Sequence, residues 1–258
     1  MTQTLLAWTN LAKLATASAT STETGLPVEN TINDIGAPST AWQSAAGTTT
    51  ATLTYTLDDP GSSVRVIALF RTNLTDQAQI TATITLSSVE TWTYTLAGPV
   101  TGYGQVIFIP PTAQSADSVA IEIEDAGNPD GYLNIPLVFI GSAWLPTWSA
   151  SPASADNWAP EVNRQVTRGG QVYQTSLSNP RTFAFEFGAV DPDETYAAAR
   201  EIGRLASMGI NVLFIPNAEG AYVKQDAIFG IVSGVKPYGY LPGPGGVRTW
   251  GATITERL

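Results

Sequence analysis

Polar and apolar residues alternate along the first half of this chain in short, evenly spaced runs. Ile80–Leu86 and Thr91–Leu96 alternate strictly, and Val119–Glu124 alternates into the turn Asn128-Pro129-Asp130-Gly131. Val64–Phe70 is almost unbroken hydrophobe apart from Arg65, which predicts a central strand covered on both faces. Gln105–Ile109 stops at Pro110-Pro111, and Ile135–Ile140 closes the set. Strands this short, with no helical period between them, predict a jelly-roll-like β-sandwich of two sheets.

The pattern changes after residue 160. Phe183, Phe185 and Phe187 alternate with Thr182, Ala184 and Glu186, so three aromatics share one strand face. Asp191-Pro192-Asp193-Glu194 then supplies an N-cap carboxylate, a proline at the first helical position, and acids over the positive end of the helix dipole. The spacing predicts a helix over about 192–208, ended by Gly209 in the left-handed conformation of a C-cap. Tyr196, Ala199, Ile202, Gly203, Leu205 and Ala206 form its apolar stripe, with Arg200, Glu201 and Arg204 on the polar side. Strands follow at Asn211–Pro216, Asp226–Val232 and Val247–Glu256. The fold class is therefore mainly β: the N-terminal sandwich, then a C-terminal β-sandwich with one flanking helix.

Residues 141–160 contain three prolines and three tryptophans among small residues. A plain linker would lack Trp144, Trp148 and Trp158, so the segment reads either as an ordered connector anchored to both domains or as part of one domain's core. The expected organisation is 1–145, a connector 146–160, and 161–258, with the first part folding by itself. Charge is divided in the same way. Residues 1–145 carry 12 acids and three bases, 3 − 12 = −9, and residues 146–258 carry ten acids and nine bases, 9 − 10 = −1. Neither half has the basic field that nucleic acid or an anionic membrane requires.

The chain has no His and no Cys, which excludes disulfides, thiol nucleophiles, His-based triads and Cys/His zinc sites. Leu5-Leu6-Ala7-Trp8 is too short for a secretory h-region and no basic residues precede it, so no leader is expected. No apolar run reaches the roughly 18–20 residues of a membrane-spanning helix. Only 13% of residues are charged, which suggests a surface covered in part by partners.

Four groups of residues could carry a function. Asp117, Glu122, Glu124, Asp125 and Asp130 offer hard oxygen ligands for calcium, although no Asp-x-Asp-x-Asp-Gly spacing is present. The solvent face of an edge strand, where like charges discourage stray pairing, explains the same acids. Trp92 and Tyr94 share a strand face and could form a sugar platform or simply belong to the core. Arg200 and Arg204, one helical turn apart, and Glu186, opposite the phenylalanines, could meet a neighbouring subunit or water. Glu186 is also the best single candidate for a catalytic carboxylate, but no second acid is tied to it by spacing. The glycine-rich pieces Gly102-Tyr103-Gly104, Gly169-Gly170 and Pro242–Gly246 do not lead from a strand into a helix as phosphate loops do, and read as turns.

Two resemblances follow. Arg164–Arg168, the Phe strand, the capped helix, Asn211–Pro216, Asp226–Val232 and the closing strand with Trp250 together resemble the core of phage tail-tube and distal-tail proteins. That likeness implies a structural subunit of a tail tip, assembled in the host cytoplasm into the virion tail. It would be a homohexameric ring in contact with tail-tube and tip or hub proteins. The lead-in Asn10–Leu11, Pro27–Asn30 and Trp42, with the late strand running into Trp144, is similar to discoidin-like, galactose-binding-like jelly rolls. This second likeness implies, as an alternative, a carbohydrate-binding module for cell-surface glycans. Either way no enzyme, cofactor or metal is expected.

Overall fold

The structure, a computed structural model, describes residues 3–151, 154–241 and 246–257. The chain folds as two compact units that do not follow its order. One comprises Ala7–Ala143 and Gly220–Asp226; the other comprises the segment ending at Leu6, Trp144–Glu219 and the segment from Ala227.

The first unit is a β-sandwich. Its larger sheet has the order Thr16–Ala19, Thr50–Thr56, Ser118–Glu124, Gln79–Leu86, Val89–Ala97, all antiparallel. The smaller sheet places Val66–Phe70 between Leu137–Gly141 and Val106–Phe108. Val66–Phe70 is buried at every position, as its unbroken hydrophobic run requires. Alternation in the larger sheet sends Leu53, Tyr55, Ile80, Ala82, Ile84, Val119, Ile121 and Ile123 inward, where they form one core with Ile67, Leu69, Val106, Phe108, Val138 and Ile140. The loops are held by side chains. Asn10 donates to the Val138 carbonyl at 2.9 Å and accepts from the Ile140 and Ala12 amides. Buried Trp42 donates its indole N–H to the Ser21 carbonyl at 3.1 Å. Gly220–Asp226 belongs to this unit through Lys224, whose ammonium donates to the carbonyls of Ala97 (2.6 Å) and Gly98 (2.8 Å).

One expectation is corrected here. Ser118–Glu124 is not an edge strand: it is the centre of the five-stranded sheet, paired on both sides. Glu122 and Glu124 are exposed because they point away from the core, and they protect no open edge. Alternation reports which face of a sheet is wet, and it is silent about lateral position.

The second unit is built on a seven-stranded sheet. Its order is Leu5–Ala7, Asn211–Ile215, Ile228–Ser233, Arg248–Glu256, Arg181–Val190, Ala155–Trp158, with Gly239–Tyr240 paired to Arg248–Glu256. The helical segment runs from Pro192 to Ser207, with a π-helical turn at Thr195–Ala199. Asp191 caps it, accepting from the Asp193 amide at 3.4 Å, and Gly209 follows at φ +67°. Ala198, Ala199, Ile202 and Leu205 are its buried side. The core is aromatic. Phe187 stacks on Trp250 at 5.9 Å, Phe185 on Phe214 at 4.9 Å, and Trp144 lies 5.7 Å from Phe187 and 6.2 Å from Trp250. Trp144, half-buried, thus packs on the aromatic core of this unit, whereas Trp148 and Trp158 are exposed.

A two-stranded hairpin, Glu161–Val166 and Val172–Ser178, stands apart from that sheet. Sequence reading missed both of its strands and placed only the turn at Gly169-Gly170. The signal was available: β-branched and aromatic residues flank Gly169-Gly170, but apolar residues fall on both faces, so no clean period of two emerges.

Candidate functional site

The hairpin is the part of the molecule that its own unit does not explain. Both strands are exposed along nearly their whole length. Strand alternation and register put Val162, Val166 and Val172 on one face and Tyr173 and Leu177 on the other. These five side chains are 39–63% exposed, an unusual outlay of apolar surface for a structure only two strands wide. Its tip is closed by the Thr167 amide donating to Gln171 O (2.9 Å) and the Gly170 amide donating to Thr167 O (3.0 Å), with Gly170 at φ +81°. Arg164 and Arg168 against Glu161 give it 2 − 1 = +1 in a chain of net charge −10. A hairpin of this size is marginal on its own in water, so its fold calls for a covering surface.

The candidate aromatic pair is real as a pair. The Trp92 and Tyr94 rings lie 6.0 Å apart and 21° from parallel. Trp92 also meets the edge of Phe108 at 6.4 Å and packs on the sandwich core, while Tyr94 is 55% exposed. Both sit on Val89–Ala97, the outer strand of the larger sheet. The opposite face of that hairpin is a threonine ladder, Thr81 with Thr95 at 2.8 Å and Thr83 with Thr93 at 3.0 Å.

The five candidate calcium ligands are not brought together, and no cluster of three or more His, Cys, Asp or Glu suited to a metal occurs among the described residues. Asp117 accepts from the Gly61 amide (2.9 Å) and the Ser87 amide (2.7 Å), joining two turns. Asp125, 2% exposed, accepts from the Thr75 amide and hydroxyl (2.9 and 2.6 Å) and the Asn128 amide group (3.0 Å). Asp130 accepts from Asn73 at 2.9 Å. Glu122 and Glu124 remain on the open sheet face. Asp117 and Asp125 flank Ser118–Glu124 at opposite ends, roughly 25 Å apart at strand spacing.

The three interface candidates have partners inside the chain. Glu186 pairs with Lys236 at 2.7 Å, and Arg204 pairs with Glu201 on the same helix. The Arg204 guanidinium holds the Glu201 carboxyl below its usual range. Arg200 lies over the Tyr196 ring, 4.2 Å from its centroid. Of the glycine-rich turns, Pro242–Gly245 lies outside the described residues.

No protein-family model matches this chain, and no curated protein sequence matches it. Solved structures do. A mutant of the lectin-binding domain of lectinolysin, complexed with Lewis b, is 16% identical with a TM-score of 0.44, over 53% of this chain and 99% of that one. Chitosan-binding module 1 of a chitosanase/glucanase from Paenibacillus sp. is 21% identical with a TM-score of 0.42, over 52% and 99%. The family 32 CBM of C. perfringens NanJ, in complex with galactose, is 20% identical with a TM-score of 0.41, over 52% and 97%. At these values the likeness concerns about half of the chain and assigns it no ligand.

Proposed function

We propose that this protein is a non-catalytic assembly subunit whose second unit joins copies of itself. The observation that carries the reading is the hairpin Glu161–Ser178, with apolar side chains on both faces and no sheet beneath it. A second copy is the occupant that fits: the hairpin is slightly basic and the chain as a whole is strongly acidic. The resemblance of 161–258 to tail-tube and distal-tail proteins supplies the kind of assembly. It would be a ring, six-membered by that likeness, at the tip of a phage-type tail, in contact with tube and hub proteins.

The test replaces residues 161–178 with a short Gly/Ser turn. Sedimentation velocity and electron microscopy of the full chain, alone and with tail proteins, should show rings that the shortened chain cannot form. Rings formed equally well without the hairpin would remove the basis of this reading.

A second reading is favoured by the Trp92–Tyr94 pair: the sandwich unit binds a cell-surface glycan by stacking. Tyr94→Ala should abolish retention on a glycan array while leaving ring formation intact. Retention that survives this substitution would place any sugar site elsewhere.

A further inference from the structure

The second unit holds a buried cation without a counter-ion. Arg248, at the start of the closing strand, is 8% exposed. Among the described residues, ion pairs involve Lys13, Arg181, Arg204 and Lys236, and neither Arg248 nor Arg200 has one. The Arg248 guanidinium lies 4.9 Å from the Tyr196 ring centroid and 5.0 Å from that of Tyr240. Its Nη2 donates a long hydrogen bond, 3.4 Å, to the Tyr196 hydroxyl, and its Nε is buried with no acceptor. Arg200 approaches the same Tyr196 ring at 4.2 Å. Two guanidinium groups therefore converge on one tyrosine, and the hydrogen bond from Arg248, followed by the charges of Arg248 and Arg200, lowers the pKa of its hydroxyl.

This arrangement is costly as it stands. Arginine does not shed its proton in proteins, so burial cannot be relieved by neutralisation. Cation–π contact offsets part of the desolvation, yet a buried N–H without an acceptor still carries its penalty. The planar fork of a guanidinium is matched by the two oxygens of a carboxylate. Extended polyanions are disfavoured by the net charge of −10, whereas a single carboxylate on a protein surface meets the same field as any subunit contact. The chain has 22 acids, 12 of them before residue 146, so a second copy presents many candidates.

We propose that Arg248, with Tyr196 and Arg200, is a receptor for one carboxylate side chain of a second copy of this chain. The proposal rests on the assembly reading above and adds the chemistry that fixes one of its contacts. The buried cation weakens the isolated chain and is relieved in the assembled one, so monomer stability and association respond to it in opposite directions.

The test uses the full chain and two variants, Arg248→Met and the exposed Arg200→Gln, which keeps the comparison open if the first misfolds. Thermal unfolding of dilute protein is followed in sodium acetate and in sodium chloride at equal ionic strength, and self-association is followed by sedimentation over a concentration series. Arg248→Met should raise the Tm of the dilute chain by about 2–4 °C. Acetate should stabilise the natural chain and not this variant, and both variants should weaken association at least about tenfold. A lower Tm in Arg248→Met with association unchanged in both variants would make Arg248 a structural residue and overturn the proposal. Acetate protection through Arg248 with association unchanged would assign the site to a free carboxylate and overturn the second copy as its source. A natural chain that stays monomeric at every concentration would instead remove the assembly reading, and the second copy with it.

Discussion

Two hairpins in this molecule have similar lengths and opposite physical situations. Gln79–Leu86 and Val89–Ala97 extend a sheet: Ile80, Ala82 and Ile84 are fully buried, and Trp92 and Leu96 pack on the same core. Glu161–Val166 and Val172–Ser178 have no such backing, and their apolar residues face outward on both sides. Antiparallel pairing runs the length of both, with one register shift in each, so hydrogen bonds do not distinguish them. Burial does, at about 25 cal/mol per Å² of apolar surface removed from water. The first hairpin is stabilised by its own unit, and the second acquires comparable stabilisation only when something covers it.

The largest test of that contrast is truncation on each hairpin. Ile84→Ala should cost about 2–5 kcal/mol in urea unfolding of the dilute chain, because it opens a cavity in a closed core. Leu177→Ala should stay within about 0.5 kcal/mol under the same conditions, since its side chain is 63% exposed in the isolated chain. Equal losses would show that the arm is already anchored within the monomer. Next in size is the root of the first hairpin. Asp125→Ala leaves the Thr75 amide and the Asn128 side chain without their buried acceptor, and should cost about 2–3 kcal/mol.

The core beneath the first hairpin should also show in alkali. Tyr55 is fully buried and bonded to Thr31 at 2.7 Å; burial raises its pKa well above the ordinary value of 10.0, and the Thr31 bond lowers it slightly. The folded pKa exceeds the unfolded one, so this contribution is complete below pH 10 and falls as pH rises, by about 1.4 kcal/mol per pH unit. Tyr55→Phe should flatten the stability curve between pH 10 and 12, and an unchanged slope would assign alkaline loss to other groups. The smallest effect concerns the turns. Ser87 and Ser88 both have positive φ in a two-residue loop, a conformation that favours glycine. Ser88→Gly should stabilise the dilute chain by about 0.5–1 kcal/mol. Gly170→Ala in the arm, although strained at φ +81°, should leave the Tm of the monomer unchanged. A matching drop there would mean that the arm melts with its unit.

Much of the fold was open to reading from residues alone. The strands at 80–86, 91–96 and 119–124 announce themselves by period, and the helix by Asp191, Pro192 and Gly209. The hydrophobic run 64–70 is divided at Arg65, so that Val64 ends a strand paired with Gln114–Ala116 and only Val66–Phe70 lies in the three-stranded sheet. The candidate site was less legible. Val162, Val166, Val172, Tyr173 and Leu177 carry strand propensity but no one-sided pattern, because the surface that would impose one is absent from the unit. Arg248 looked like an unremarked residue in a closing strand, for nothing local marks it as buried or unpaired.

What the sequence determined by itself is whatever depends on near neighbours: strand period, helix caps, turn chemistry, and the exclusion of thiol and imidazole chemistry by composition. What only the tertiary structure decided depends on residues far apart in the chain. Ser118–Glu124 became a central strand because residues 50–56 and 79–86 both pair with it. Leu5–Ala7 became an outer strand of a sheet whose other strands begin after residue 154. Arg200 and Arg248, 48 positions apart, share Tyr196 because a helix and a closing strand meet there. Local patterns record the solvent boundary at each residue, whereas lateral pairing and charge convergence depend on long-range packing that no short window of sequence contains.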